Sequence, residues 1–325
     1  MDKYSKATLK SITRAENAFV NKNTYKKVNT PFGYFGSKNK IALQLCNELP
    51  PHYCWVEMFC GSAALTLAKP PVPIEIINDI DGNIVNVFKQ LRNNHEELCR
   101  LISLTPYSRL ELEEARKQNE NDSEIEEARK FLVQAMMAIN GVFGKEKGGF
   151  SYSQSYSRNG KDARVNRWYN LPERLTRVVE RLRNVRVENK DALKLMKMFV
   201  NRPATLVYLD PPYFVDRTKG YNNDANDESF HVELIKLSDK SKCMIFISGY
   251  ENDLYNKLLT EKNGWKRKTI HTSIKDIKGQ SHRRNEVVWM NKYFHKALES
   301  GEVPIQLTEK ELKQKKLNPE RFDMV

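Results

Sequence analysis

LVYLDPPYF, residues 206–214, decides how the rest of the chain is read. Its first residues are almost wholly apolar, as expected of a strand buried on both faces of a parallel sheet. Pro211 and Pro212 then end it, because neither can donate to a sheet ladder. The carboxyl end of that strand therefore carries an acid, Asp210, on a corner stiffened by two fixed φ angles, with the ring of Tyr213 directly after it.

Working outward from this corner, the same strand-and-helix rhythm recurs. CWVEMF (54–59) and IEIIND (74–79) read as strands, each followed by a helical stretch, CGSAALTLAK and DGNIVNVFKQLR. RVEN (186–189), ATLVYLD (204–210) and CMIFISG (243–249) continue the series with helices between them. WKRKTIHT (265–272) and EVVWMN (286–291) are too close for a crossover helix and are expected to pair antiparallel. The fold class is therefore α/β: an open, mostly parallel sheet with an antiparallel hairpin at its C-terminal end. Ligands of such sheets bind outside the carboxyl ends of the strands, where Phe59, Asp79 and Asp210 all fall.

Four regions follow from the composition along the chain. Residues 1–30 are polar and basic and read as an arm. Residues 31–98 and 186–291 make up the sheet domain, and 99–185 form an inserted segment. The insertion begins as charged helix and ends in NGVFGKEKGGFSYSQSYSRNGKDARVNRWYN (140–170), too long for a simple connection. Residues 292–325 are charged and read as a tail or peripheral helix.

The 325 residues carry a formal charge of +13, with 40% hydrophobic content. That excess implies an anionic partner, most often nucleic acid. No apolar run is long enough to span a bilayer and no signal-peptide core stands at the N-terminus, so a cytoplasmic protein is expected. The five cysteines lack paired spacing and the six histidines are scattered, so neither a disulfide framework nor a metal site is expected.

The chemistry available at the strand ends is specific. Asp210 and the Pro211 carbonyl present acceptors with no proline donor beside them, and Tyr213 adds an aromatic face. Two acceptors and a ring suit a planar base with an exocyclic amine, such as adenine. Acceptors placed around that amine would favour a pyramidal nitrogen and stabilise the positive charge that develops on attack. The alternative is a tight turn that merely closes a strand. Gly61, Ser62 and Ala63 allow close backbone approach to a ligand at a helix start, or serve packing alone. Asp79 and Asp191 each suit a ligand hydroxyl or amine, or a helix N-cap.

PFGYFGSK, VEMFCGSAAL, IINDID, ENKDAL and LVYLDPPYF, in that order, resemble the α-group adenine-specific DNA methyltransferases, the DNA adenine methylase family. The resemblance covers roughly residues 30 to 291. It implies a Rossmann-like, S-adenosylmethionine-dependent methyltransferase sheet with an inserted target-recognition segment. The implied reaction is site-specific methyl transfer from S-adenosylmethionine to N6 of adenine in double-stranded DNA, with a restriction endonuclease as a conceivable companion. Residue by residue, Tyr34, Gly36 and Lys38 match the first motif, which lines the donor and target pockets. Glu57, Phe59 and Gly61 match the motif that holds the methionine part of the donor. Asp79 matches the ribose-binding acid, Asp191 the acid that reads the donor's adenine, and Asp210, Pro211, Pro212 and Tyr213 the catalytic turn. Two departures stand out: Ser62 and Ala63 replace the family's frequent glycines, and Ser37 replaces the first-motif Gly.

Reaching a paired adenine requires flipping it out of the stack. The basic insertion is expected to supply the DNA contacts, from Lys145, Lys147, Arg158, Lys161, Arg164 and Arg167, with Lys38 adding to them. Asn140 and Tyr156 are the candidates for base-edge or wedge contacts, the alternative being a solvated loop. Arg283 and Arg284 near the hairpin read as phosphate contacts or as exposed charge. Rival readings are an RNA adenine methyltransferase, a cytosine N4 enzyme, whose family usually has Ser at position 210, and a non-catalytic nucleic-acid-binding module.

Overall fold

The computed structural model describes residues 25–34, 36–139, 141, 148–152, 160, 162–212, 228–275 and 281–304, with backbone alone over 272–275 and 281–284. Seven strands form one sheet: β1 Cys54–Glu57, β2 Ile74–Asn78, β3 Val185–Glu188, β4 Thr205–Leu209, β5 Met244–Gly249, β6 Lys266–Lys275 and β7 Ser281–Met290. Their order is β3-β2-β1-β4-β5-β7-β6. The first five are parallel, and β7 lies antiparallel between β5 and β6. The expected hairpin is therefore present, and it runs several residues further on each side of its turn than the apolar pattern indicated.

The chain steps outward from β1 through β2 to β3 and then returns to β4 on the other side of β1. This makes the carboxyl ends of β1 and β4 the topological switch point, where open α/β sheets leave a crevice for ligands. Glu57 and the Asp210 corner sit at those two ends.

Side-chain alternation divides the core into layers. Val56, Val207, Leu209, Ile245, Ile247 and Trp289 face one side of the sheet. There they are covered by α9 (Ala192–Met196), α10 (Glu228–Lys240) and α11 (Asp253–Leu258). Trp55, Leu206, Tyr208, Met244, Phe246 and Val288 face the other, under α1 (Ala42–Asn47) and α2 (Ala64–Ala68). Burial on both faces explains why these strands read as unbroken apolar runs.

Around β2 and β3 a third cluster joins Phe32, Ile77 and Val185 to helices α3 (Gly82–Asn93), α4 (His95–Leu104), α5 (Arg109–Ala115), α6 (Glu124–Met137) and α8 (Leu171–Leu182). This continuous core crosses the boundaries drawn at 98/99 and 185/186. The inserted segment also holds a helix that the loop-like composition concealed, α7 (Ala163–Tyr169), capped by Asp162. Trp168 of α7 is buried and donates to the Thr105 carbonyl at 2.8 Å.

Residues 292–300, within the segment that reads as a tail or peripheral helix, form α12 (Lys292–Ser300), capped by Asn291. Phe294 and Ala297 are buried in the sheet core, and Phe294 stacks on Phe246 at 5.3 Å. Asn291 accepts from the Ile245 and Phe294 amides and donates to the Cys243 carbonyl, which fastens α12 to β5. No helix among the described residues is long and apolar enough to cross a membrane.

Candidate active site

Asp210 leaves the end of β4 with both carboxylate oxygens bound to the Lys38 ammonium, at 2.6 and 2.8 Å. Ser248, on the neighbouring strand β5, donates to Oδ1 at 3.3 Å, and Tyr208 shares its phenol with Ser248 at 2.7 Å. Lys38 is itself 5% exposed and lies 3.3 Å from a second carboxylate, Glu286 of β7. One buried ammonium therefore stands between two carboxylates. Burial pushes Asp210 above the usual carboxylate range, with Lys38 and Ser248 pulling against it. Lys38 was expected in the pockets and also on DNA. Its burial between Asp210 and Glu286 turns it toward the Asp210 corner and away from any surface phosphate.

The neighbouring cleft is lined by Tyr34, Gly36, Ser37 and Lys38 from the first motif and by Glu57 and Phe59 to Ser62 from the end of β1. Asp79 to Asp81 after β2, together with Asp210 and Pro212, complete it. Gly61 has φ +49, and a Cβ there would lie 2.8 Å from Cδ1 of Tyr34, so only glycine fits under that ring. Its amide donates to Asp79 Oδ2 at 2.8 Å, while the Asp81 amide donates to Oδ1 at 3.0 Å. Burial raises Asp79 to about 6. Each carboxylate oxygen keeps a lone pair beyond those amide bonds, so Asp79 can still accept a ligand hydroxyl. The N-cap alternative for Asp79 fails, because Asp81 caps α3 by accepting from the Asn83 amide.

Glu57 is buried at the base of the cleft and accepts from the Thr66 amide at 2.8 Å, the Thr66 hydroxyl and the Leu65 amide. These bonds fix α2 against β1. Burial raises Glu57 to about 7. Phe59 meets Phe230 edge-to-face at 6.3 Å. Asp191 does not join the cleft lining: it caps α9 by accepting from the Lys194 amide at 2.9 Å. The adjoining residues do serve the site. Lys190 pairs with the Asn78 side chain, and Asn189 donates to the carbonyls of Asp79 and Ile80.

Three contributors escaped the sequence reading. Glu286 looked like an ordinary polar residue opening a strand, Ser248 lay within an apolar run, and Ile80 separates two acids. Ile80 is 53% exposed at the cleft edge, an apolar surface on which a flat heterocycle could rest. Of the expected DNA contacts, Arg164 and Arg167 lie on α7. Tyr213, Asn140, Lys145, Lys147, Tyr156, Arg158 and Lys161 fall outside the described residues, as do the side chains of Arg283 and Arg284.

An acid fixed at the β4 corner and a glycine cradle at the β1 end stand together at the switch point of the sheet. The profile for D12 class N6 adenine-specific DNA methyltransferases matches residues 34–298. The chain belongs to that family. It methylates adenine in DNA at N6, as the family does. The Type II methyltransferase M1.LlaDCHI of Lactococcus lactis subsp. cremoris is 23% identical over 217 residues, 63% of this chain and 72% of the relative. Among solved structures, yhhF of Escherichia coli, described as a methyltransferase, is similar with TM-score 0.31 and 12% identity over 78% of this chain and 83% of its own. The precorrin 8W decarboxylase of Methanobacterium thermoautotrophicum has TM-score 0.30 and 11% identity, covering 84% and 98%. The groups of metal-ligand type that could hold an ion are absent among the described residues.

Proposed function

We propose that this D12-class methyltransferase acts on a target adenine flipped out of double-stranded DNA, at a defined site, with S-adenosylmethionine as donor. The observation that carries the reading is the Asp210 corner: a buried carboxylate at the sheet's switch point, held by Lys38 beside the glycine cradle. The cradle fits the donor. Gly61 leaves room that a Cβ would fill, Asp79 offers acceptors for ribose hydroxyls, and Ile80 offers an apolar face. When bound, S-adenosylmethionine supplies an electrophilic methyl group on its sulfonium.

The chain's own groups do the rest. Asp210 and the Pro211 carbonyl accept hydrogen bonds from the two N–H groups of the adenine amine, drawing the nitrogen lone pair out of the ring. As the nitrogen forms its bond to the methyl group it gains positive charge, which the Asp210 carboxylate stabilises, and it then gives up one N–H proton through Asp210 to solvent. Burial makes that carboxylate a stronger acceptor than a solvated one. Tyr213 stacks on the base and holds its amine in line, which lowers the entropic part of the barrier. A cognate endonuclease is in keeping with the likeness to a Type II methyltransferase, and a cytoplasmic location follows from the DNA substrate.

The test is to expose unmethylated genomic DNA to the purified protein and S-adenosylmethionine, then map modified bases by single-molecule sequencing. N6-methyladenine confined to one short motif, absent with Asp210→Ala while that variant still binds donor, is the expected result. Near-normal turnover by Asp210→Ala would remove the catalytic assignment. Modification of RNA with none of DNA would overturn the substrate.

A further inference from the structure

The segment 25–29 and helix α8 form the walls of an open groove of about 910 Å3, away from the donor cleft. Lys26, Lys27, Arg167, Arg174 and Arg177 line it, opposed by Glu173 and Glu180. Glu173 is taken by Arg177 at 2.6 Å. Arg181, at the groove's inner edge, is neutralised by Glu75 and holds the Tyr25 hydroxyl at 3.0 Å. Lys27 donates to the Asn39 carbonyl. Lys26, Arg167 and Arg174 have no carboxylate within ion-pair distance among the described residues.

Arg174 marks the centre of this uncompensated charge. Its Nη2 reaches the Pro31 carbonyl at 3.2 Å and Met136 Sδ at 3.6 Å, while Nε is buried without a hydrogen-bond partner among the described residues. Burial lowers Arg174 to about 10, with the Arg167 charge adding to the effect. Burial and Arg164 lower Arg167 in turn. Cations crowded together with an unused donor are an unfavourable arrangement that an anion would relieve.

We infer that this groove seats the sugar-phosphate backbone of duplex DNA flanking the target adenine, with Lys26, Arg167 and Arg174 as its phosphate contacts. The inference rests on the DNA-methylation reading and adds a contact surface outside the glycine-rich part of the insertion. Continuity with the site supports it, since Tyr25 to Asn29 line the groove and Tyr34 and Gly36 to Lys38 line the cleft on the same stretch of chain. A Cβ placed on Gly33, between the two, would lie 3.5 Å from Arg167 Nη2. Phosphate suits the guanidinium forks better than any neutral ligand. A duplex is favoured over single strands because the groove has no free stacking platform. The one aromatic lining it among the described residues, Tyr25, has the Arg181 guanidinium 6.0 Å over its ring and its hydroxyl tied to Arg181 and to the Leu67 carbonyl.

The experiment measures binding of the full-length protein to a short fluorescent duplex across about 50–200 mM salt, beside a melting curve for each variant. The surface double variant Lys26→Gln/Arg167→Gln tests the charge without disturbing the core. Arg174→Gln and Arg174→Lys separate charge from packing. Loss of two contacts is expected to lower the salt slope by roughly 1.8 and to weaken binding about tenfold, whatever the DNA sequence. Arg174→Lys should retain most of the slope that Arg174→Gln loses. Unchanged slopes in folded variants would overturn the groove. So would losses confined to RNA. A wild-type protein that binds duplex through these residues yet methylates no DNA would overturn the proposed function and leave the groove standing.

Discussion

Replacing Glu286 with Gln tests why one lysine is shared between two carboxylates. Lys38 bonds both oxygens of Asp210, the atoms that the proposed mechanism has the adenine amine share. A lone pair remains on Oδ2, but an ammonium this close draws the carboxylate's charge from the amine, so Lys38 has to yield part of that contact, and Glu286 at 3.3 Å is the seat toward which it can shift. At 3.3 Å and an effective dielectric near 20, the Glu286 charge contributes about 5 kcal/mol of attraction to the ammonium. Desolvation offsets much of this, leaving roughly 1.5–3 kcal/mol, the usual net worth of a hydrogen bond to a charged group. Glu286→Gln should therefore tighten Lys38 on Asp210 and lower the single-turnover rate by about 10- to 100-fold. Donor affinity, measured by calorimetry, should stay within a factor of about two, since Glu286 does not line the cleft. Lys38→Met alone leaves two buried carboxylates facing each other. The double variant Lys38→Met/Glu286→Gln relieves that repulsion and should methylate faster than Lys38→Met. Single-turnover transfer of radiolabelled methyl to DNA supplies all four corners of the cycle. Additivity within about 0.5 kcal/mol would refute the shared-seat reasoning, because independent groups add.

Three more outcomes follow from the cleft. Burial raises Glu57 from 4.5 to about 7, so between those values the native state keeps a proton that the unfolded chain has lost. Stability should then fall by about 3 kcal/mol as pH rises through that window, and Glu57→Gln should flatten the slope. Denaturant midpoints at several pH values check this; equal slopes in both proteins would contradict it. Gly61→Ala must force a Cβ into the Tyr34 ring at positive φ, costing about 1–3 kcal/mol in melting experiments and weakening donor binding. A variant with unchanged melting temperature and donor affinity would show that Tyr34 moves aside freely. The hydroxyls of Ser37 and Ser62 lie 3.1 Å apart, and a double-alanine cycle should show about 0.5–1.5 kcal/mol of coupling in donor binding.

What could be read from the sequence was whatever depends on period and position along the chain. Strands buried on both faces announced themselves as apolar runs, and Asp79 and Asp210 stood at their ends without help from tertiary contacts. Pairing information was less accessible. Glu286 gains its meaning from β7 inserting between β5 and β6, which brings its side chain to Lys38 across nearly 250 residues of chain. Asp79 and Asp81 are alike as residues, and only the bonding separates the cap from the cleft acid. Helix α12 was legible in principle. Asn291 as N-cap, with Phe294 and Ala297 three apart, forms one apolar stripe, but the surrounding charge hid that the stripe joins the sheet core.

The two departures from the family pattern meet in space, and that decides what they mean. Ala63 sits at φ 55 and ψ 42, where an alanine costs about 1–2 kcal/mol that glycine would not. Its methyl is fully buried in the core, which returns roughly 0.8 kcal/mol, and glycine would lose more chain entropy on folding. The balance is close to even, so the strained turn must be held from outside. It is: the Ala63 amide bonds the Cys60 carbonyl at 2.6 Å, the Cys60 amide bonds the Asn78 carbonyl at 2.8 Å, and Gly61 is bound to Asp79. Ser62 then links the turn to Ser37, the other departure, on the loop that carries Lys38. Where glycines leave a cradle free to adjust, this chain ties it to β2 and to the first motif, so the glycine cradle and the Lys38–Asp210 pair are held in one polar framework.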